Sequence, residues 1–355
     1  MILGWSKPDV AKPDTRIGRR MRWALAIAIG VVVAPIAWHI QTIHSHPSDF
    51  AQVWYAARAL LAGNNPYEVV GPGRPFPWPF PLLYPLTELI TAIPFAAMPL
   101  RVANMLWVAC SAAILAWGVT RERLWTPKLW VFASWSYFAA AHLAQWSPLL
   151  TAAAFLPWAG FALAAKPTLG AALFVAYPSR RALISALVLV LASLVVFPSW
   201  PISWVQTLRG TSHMSAPVAH LSVGGPLILL SLIKWRRPEA RLLAALACVP
   251  QTTLIYEAVP LFLVVNRWYE GLALSILSFV VGSWPVPPQT SDYNLSLWVT
   301  GDVMVLSLYL PCVVFVLTRP NQHASWDCIV ANCRRALSWA RAEPAQRSRT
   351  SRAEL

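Results

Sequence analysis

The chain has 355 residues, 57% of them hydrophobic and 12% charged, with a mean hydropathy of +0.53. A soluble domain needs a more polar surface than this, and several apolar runs approach the ~20 residues that cross a bilayer, so the fold class expected is an all-α polytopic membrane protein. The net charge of +14 does not indicate nucleic acid: basic residues collect in short segments between apolar runs, as the positive-inside bias places them, and no stacking motif or compact basic fold accompanies them.

Those segments are "RIGRRMR" at 16–22, "RERLWTPK" at 121–128, "SRR" at 179–181, "KWRRPEAR" at 234–241 and the tail from Arg319. They divide the chain into a basic N-terminus (1–22), a membrane-embedded body (23–318) and a basic tail (319–355), with both ends expected in the cytoplasm and the tail flexible. Residues 23–40 form the first span, and its length, with further spans following, argues against a cleaved signal. The first outer loop is 41–80. In it Ser48 stands as an N-cap, and "DFAQVWYAARALLA" follows with helical periodicity. Phe50, Val53, Trp54, Ala57, Leu60 and Leu61 fall on one arc, and Gln52, Tyr55 and Arg58 fall outside it. Gly63 and "NNP" stop this helix, which is expected to lie on the membrane surface. The segment "GPGRPFPWPF" is too rich in Pro for a helix or central strand and reads as an irregular aromatic cover at the interface.

Segments 81–98, broken by Pro85 and Pro94, and 101–119 come next. If 121–128 is inside, one of the two does not cross fully. Segment 129–145 ends at "AQWSP", 148–165 leads to "AKPTLG", and "TLGAALFVAYP" is too short to span. A span at 182–198 precedes a second outer loop, 199–222, holding Trp200, Trp204, Gln206, His213 and His220, and 223–233 returns from it. In 242–266, "VPQTTLIYEAVP" reads as the kink, near the outer surface, of an up-and-down pair of short helices. Spans at 269–285 and 299–318 complete about nine to eleven membrane segments. Breaks at Pro85, Pro148, Pro167 and Pro250 point to a cavity opening outward, because irregular backbone at membrane depth persists only where protein or a water-filled cavity covers it.

Fourteen acids in the whole chain are few, and Asp49, Glu88, Glu257, Glu270 and Asp302 lie beside or within apolar segments, as does Lys166. An ionisable group at membrane depth costs free energy unless paired or hydrated, which makes it a functional candidate. Each also has a plainer role. Asp49 fits the first turn of a helix, where the dipole favours an acid. Lys166 can snorkel, and Gln145 and Gln251 can bond between helices. Asp49 stands out because its apolar-bedded helix and Pro/aromatic cover would hold a carboxylate rigid and partly desolvated, as a general base requires. His213 and His220, seven apart with no acid nearby in sequence, do not suggest a metal site. Cys110, Cys248, Cys312, Cys328 and Cys333 have no metal-like spacing, and the last two, in the basic tail, are not expected to pair. No Gly-rich phosphate loop, Ser-His-Asp series or CxxC is present.

The ordered stretches "DFAQVWYAARALLAGNNPYE", "FPLLYPLTELITAIPFAAMP", "LAQWSPLLTAAAFLPWAGFALAAKPTLG" and "VPQTTLIYEAVPLFLV" resemble the GT-C-type glycosyltransferases of family 87, the polyprenyl-phosphate-mannose-dependent mannosyltransferases. The resemblance covers about residues 40–265. It aligns Asp49 with the family's catalytic acid, Gly63, Pro66 and Tyr67 with its loop motif, Tyr84 and Pro85 with its "Y-x-P-L", and Lys166 with its "K-P" lysine. The family's "GQ" is here Ala144-Gln145 and its late "YD" is Tyr256-Glu257.

What it implies is a GT-C-like bundle in a bacterial plasma membrane, with its site on the extracytoplasmic face. Inverting transfer of a hexose, mannose by family, would run from a polyprenyl-phosphate donor to a glycolipid or glycan acceptor. Asp49 would be the general base, and Lys166 and Arg58 would meet the donor phosphate. Gln52, Tyr55, Tyr84, Gln145, Gln251, Tyr256, Glu257 and His213 would contact substrate. A single Asp without a D-x-D pair leads to the expectation of no metal or other cofactor. The alternatives are a transporter or flippase for a lipid-linked sugar, for which no internal repeat appears, and a non-catalytic membrane protein.

Overall fold

The computed structural model describes residues 16–43, 48–78, 80–209, 215–252, 254–283 and 293–320, and these are helical for the most part. His213, the Cys328–Cys333 pair and the tail from 321 lie outside the described residues.

The first predicted span is the helix Arg16–Ile43, which packs antiparallel on Leu100–Val119. Arg22 lies 3.9 Å over the Trp117 ring and donates to the Trp117 carbonyl at 2.7 Å. Eight residues on, a Cβ at Gly30 would stand 2.9 Å from the Ala109 carbonyl oxygen, so only glycine lets the helices approach this closely. Pairing 22 with 117 and 30 with 109 puts the basic N-terminal segment and the basic 121–128 segment at the same end. The helix between them, Leu86–Ala96, has 11 residues, about 16 Å at the α-helical rise and too short for a ~30 Å hydrocarbon core. It is therefore the segment that does not cross, which answers the parity question.

Among the described residues Ile17–His39, Leu100–Val119 and Trp298–Leu317 are long and apolar enough to cross a membrane. Arg180–Val196 with Trp200–Leu208 adds a fourth candidate, bent by 100°. Leu183, Ile184, Leu187, Val188, Leu191 and Val195 of that pair are all exposed, whereas in Arg180–Val196 only Ala182 and Ser193 are buried. Lipid is the natural solvent for an apolar surface of that kind. The protein is thus an all-α membrane protein, apart, among the described residues, from a parallel pairing of Val70–Gly71 with Phe76–Pro77 and an isolated antiparallel bridge between Ser215 and Gln251.

Several basic segments converge at one end. Lys128 Nζ donates to the Val265 carbonyl at 2.9 Å and to Asn266 at 3.4 Å, and Asn266 donates to Glu239 at 3.1 Å. Arg237 donates to the Pro320 carbonyl at 2.7 Å, Arg319 pairs with Glu270, and Arg241 donates to the Ala176 carbonyl at 3.0 Å. From this end the expected pair in 242–266 rises as Pro238–Cys248 and returns as the 3-10 helix Ile255–Val264. Pro167–Ala176 descends to the same end. Each of these segments has only 10 or 11 residues, so their upper ends stop about 15–20 Å above it, near mid-membrane depth.

The helix Asp49–Leu61 starts and stops where the sequence places it, with Gly63 in the left-handed region at φ 77°. Two expectations for it are corrected. Ser48 makes no side-chain cap; its hydroxyl donates to Asn104 Oδ1 at 2.7 Å. The helix is also buried on more than one arc: Gln52 is 6% exposed, whereas Leu61 is 62% exposed. The cause is the Leu86–Ala96 helix, which packs along it and covers a face that an isolated surface helix would leave open.

Candidate functional site

The short helices end beneath a cavity of about 350 Å³. Asp49, Gln52, Tyr84, Glu88, Lys166, Gln251, Thr252, Tyr256 and Glu257 line it, with Trp78, Phe80 and Pro81 from the Pro/aromatic segment. Trp204 and Leu208, beyond the 100° bend, close another side, and the Trp204 indole donates to the Leu83 carbonyl at 2.8 Å.

Asp49 is fixed by its neighbour. Phe50 is fully buried and stacks on Trp107 at 5.4 Å and on Trp146 at 5.6 Å, which anchors the first turn of the helix. Gln145 then donates its amide to Asp49 Oδ2. It reaches the carboxylate because Ala144, just past the helix Trp135–His142, adopts φ 52° and turns the chain back. The left-handed conformation costs a residue with a Cβ about 1 kcal/mol. Burial pushes the Asp49 carboxyl from 3.8 up to about 6, while the Lys166 charge and the Gln145 hydrogen bond pull it the other way.

Lys166 joins Phe161–Ala165 to Pro167–Ala176. The following Pro keeps it out of the α region, at φ −125° and ψ 84°, so the helices break there. Its Nζ pairs with Glu257 Oε1 at 2.8 Å and lies 5.0 Å over the Tyr256 ring. Glu257, 1% exposed, also accepts from the Thr252 hydroxyl at 2.9 Å and the Thr252 backbone N–H at 3.3 Å. Gln251 has both ends of its amide engaged: Tyr309 donates to its oxygen at 3.1 Å, and its nitrogen donates to the Leu246 carbonyl. It lines the cavity as an anchored wall.

Residues predicted 208 positions apart thus meet in one cavity, from Asp49 to Glu257. Gln145 stands behind Asp49 rather than in the cavity lining. Arg58 and Tyr55 are not brought into this cavity; they line a separate surface depression. Arg58 lies 4.6 Å over Trp54 and donates to the Ala96 carbonyl at 3.3 Å, and Tyr55 stacks on Phe76 at 3.9 Å. Positions 49, 52, 55 and 58 step by three, each step turning the row by about 60°, so Arg58 ends on the side opposite Asp49 and about 14 Å further along the helix.

The sequence reading left three features out of the site. Glu88 is fully buried in the cavity wall, and neither carboxylate oxygen has a hydrogen-bond partner. Its signal was legible, because an acid in the first turn of an apolar helix is a functional candidate. Thr252, the hydroxyl that holds Glu257, carried no comparable signal. The third is a Ser-His-Asp contact: His220 does have an acid partner, Asp302, and a serine, Ser215. Among the described residues no three His, Cys, Asp or Glu side chains gather as metal ligands would.

No family model, no curated protein and no solved structure matches this chain.

Proposed function

We propose that this protein is a membrane-embedded glycosyltransferase of GT-C-like architecture. It moves a hexose from a polyprenyl-phosphate donor to a hydroxyl of a glycolipid or glycan acceptor, with inversion at the anomeric carbon. The observation that carries this reading is the meeting of Asp49 and Lys166 in one cavity under a Pro/aromatic cover. A carboxyl held near 6 is matched to general-base work close to neutral pH. In the reaction Asp49 accepts the proton of the acceptor hydroxyl, whose oxygen bonds to the anomeric carbon as the bond to the lipid phosphate breaks. Lys166, at the cavity wall with three N–H donors, is shared between Glu257 and the leaving phosphate and stabilises its developing charge. Trp78, Trp204 and Tyr84 provide aromatic faces for a sugar ring. Mannose as the hexose, the bacterial plasma membrane and the extracytoplasmic side follow from the resemblance to family 87.

A second reading, a carrier of lipid-linked sugars, draws on a different observation. The cavity holds three carboxyls, Asp49, Glu88 and Glu257, and one cation, Lys166. That surplus suits a proton-coupled movement as well as a transfer.

The test is transfer of radiolabelled mannose from synthetic polyprenyl-phosphate mannose to a membrane lipid extract, with EDTA present, comparing wild type and Asp49→Asn. Transfer by wild type and its loss in the folded variant support the transferase. Equal transfer by both moves the base elsewhere, with Glu257 next. No transfer by either, together with donor movement across vesicles, favours the carrier.

A further inference from the structure

Away from the Asp49 cavity lining, Ser215 Oγ stands 3.0 Å from His220 Nε2, and His220 Nδ1 stands 2.7 Å from Asp302 Oδ1. Both ring nitrogens of a fully buried histidine are therefore engaged, one by a carboxylate and one by a hydroxyl. With the imidazole neutral, the carboxylate only accepts, so Nδ1 carries the proton, and Nε2 offers its lone pair to the Ser215 hydroxyl. A serine poised to lose its proton to a histidine that a third group orients is an activated nucleophile.

The surroundings hold the three groups in place. Asp302 is itself bonded, because the Ser222 hydroxyl donates to its two oxygens at 3.4 and 3.3 Å. The His220 ring stacks on Trp298 at 4.3 Å. Ser215 is pinned by a two-way backbone bridge to Gln251, at 3.0 and 2.9 Å. The loop that carries His220 closes at Gly224, with φ 76°, and at Gly225, where a Cβ would stand 2.3 Å from the Pro217 carbonyl oxygen. A clamp between the 215–225 loop and the helix Tyr293–Met304 needs only one of these bonds. Here every member has its own support, as a preorganised site requires. Ser215 is half-buried and so remains reachable.

We propose that Ser215, His220 and Asp302 form a second active site, a serine nucleophile for acyl transfer or hydrolysis of carboxylic esters bearing a long acyl chain. The substrate class follows from the flanks, since Leu221 is 73% exposed and Trp298 41% exposed, and apolar surface of that kind suits an acyl chain in the bilayer. In the reaction Ser215 Oγ bonds to the acyl carbon, and its proton passes to His220 Nε2. His220 delivers that proton to the departing alkoxide. Water, or an acceptor hydroxyl, then attacks the acyl-serine and gives its proton to His220, which returns it to Ser215 as the ester or carboxylate leaves. Asp302 holds the imidazole in the productive tautomer throughout.

The test uses the full-length protein in detergent and a long-chain alkyl fluorophosphonate. Attack by Ser215 forms an O–P bond and expels fluoride, leaving an adduct that peptide mass spectrometry locates. Wild type is expected to be labelled at Ser215, with labelling slowed roughly ten-thousandfold in Asp302→Asn and at least as much in His220→Ala, the scale of loss when a triad's orienting group is removed. Wild type is also expected to cleave p-nitrophenyl decanoate, and Ser215→Ala, with an unchanged melting temperature, is not. The proposal is overturned by absence of an adduct on folded wild type, by an adduct on another residue, or by undiminished labelling of Asp302→Asn. Because the wild-type result decides the matter alone, a variant that fails to fold does not rescue it.

Discussion

At the residue scale the decisive group is Asp49, whose carboxyl is raised from 3.8 to about 6 by burial. The base form therefore appears as pH rises through about 6, and mannosyl transfer measured at saturating donor is expected to climb over that range and then level. Asp49→Asn is expected to lower kcat by at least about a hundredfold, the usual contribution of a positioned general base. Stability runs the other way. The folded state holds the proton to about 6 and the unfolded chain releases it near 3.8, so this group's stabilising contribution is full below 3.8 and is lost as pH rises to about 6. Asp49→Asn is expected to remove that slope from the melting temperature, and an unaltered slope would show that Asp49 is not the buried titrating group. Ala144 offers a second residue-scale outcome. At φ 52° it carries the steric penalty that glycine avoids, so Ala144→Gly is expected to stabilise the protein by about 1 kcal/mol in a thermal melt while leaving the Gln145–Asp49 contact in place. Asp49 and Lys166 were legible in the sequence because acids and cations are scarce beside apolar runs. Ala144 was visible only as a departure from the "GQ" pattern, since a backbone angle leaves no mark in the identity of an alanine.

At the scale of elements, long apolar runs read cleanly: the helix at 100–119 falls within one residue of its expected bounds, and the expected span 23–40 lies inside the longer helix 16–43. The short 3-10 segments, such as Pro157–Gly160 and Gly225–Lys234, were not legible as such. Their residues satisfy a helical period equally well, and tertiary packing with proline decides the tighter winding. Nor was the Ser215–His220–Asp302 contact, because His220 and Asp302 lie 82 positions apart and only the fold brings them together. The hairpin that carries Lys166 depends on two glycines. A Cβ at Gly170 would stand 2.1 Å from the Leu163 carbonyl oxygen, and one at Gly160 would stand 2.3 Å from Ala182 Cα. Backbone cannot yield as a flexible side chain does, so Gly170→Ala is expected to cost about 1–3 kcal/mol through overpacking. The readout is a lowered melting temperature together with reduced transfer, since the displaced segment begins at Lys166. A melt and an activity equal to wild type would mean that the hairpin relaxes freely and does not set the position of the lysine.

At the scale of the whole molecule, the basic segments explain the shape of the cavity. Lys128, Arg237, Arg241 and Arg319 meet at one end through hydrogen bonds to Val265, Pro320, Ala176 and Val264, with Glu239 and Glu270 among them. Chain segments that begin at this end and stop after ten or eleven residues leave the upper half of the membrane to be filled by something else. Trp78 and residues 80–85, the helix Asp49–Leu61 and the bent helix Trp200–Leu208 fill it, and the cavity lies between them and the short helices. On the positive-inside bias, one charge asymmetry would both orient the chain and fix where the cavity lies. The consequence is testable in cells. With the native cysteines replaced, single cysteines introduced as Arg123→Cys and Arg236→Cys are expected to react with a membrane-impermeant maleimide only after permeabilisation. Asn64→Cys, beyond the far end of the Asp49 helix, is expected to react in intact cells. Basic loops retained in the cytoplasm require the first two positions to behave alike whatever the third does. If Arg123→Cys and Arg236→Cys label on opposite sides, the shared basic end is wrong, and with it the placement of the cavity at mid-depth.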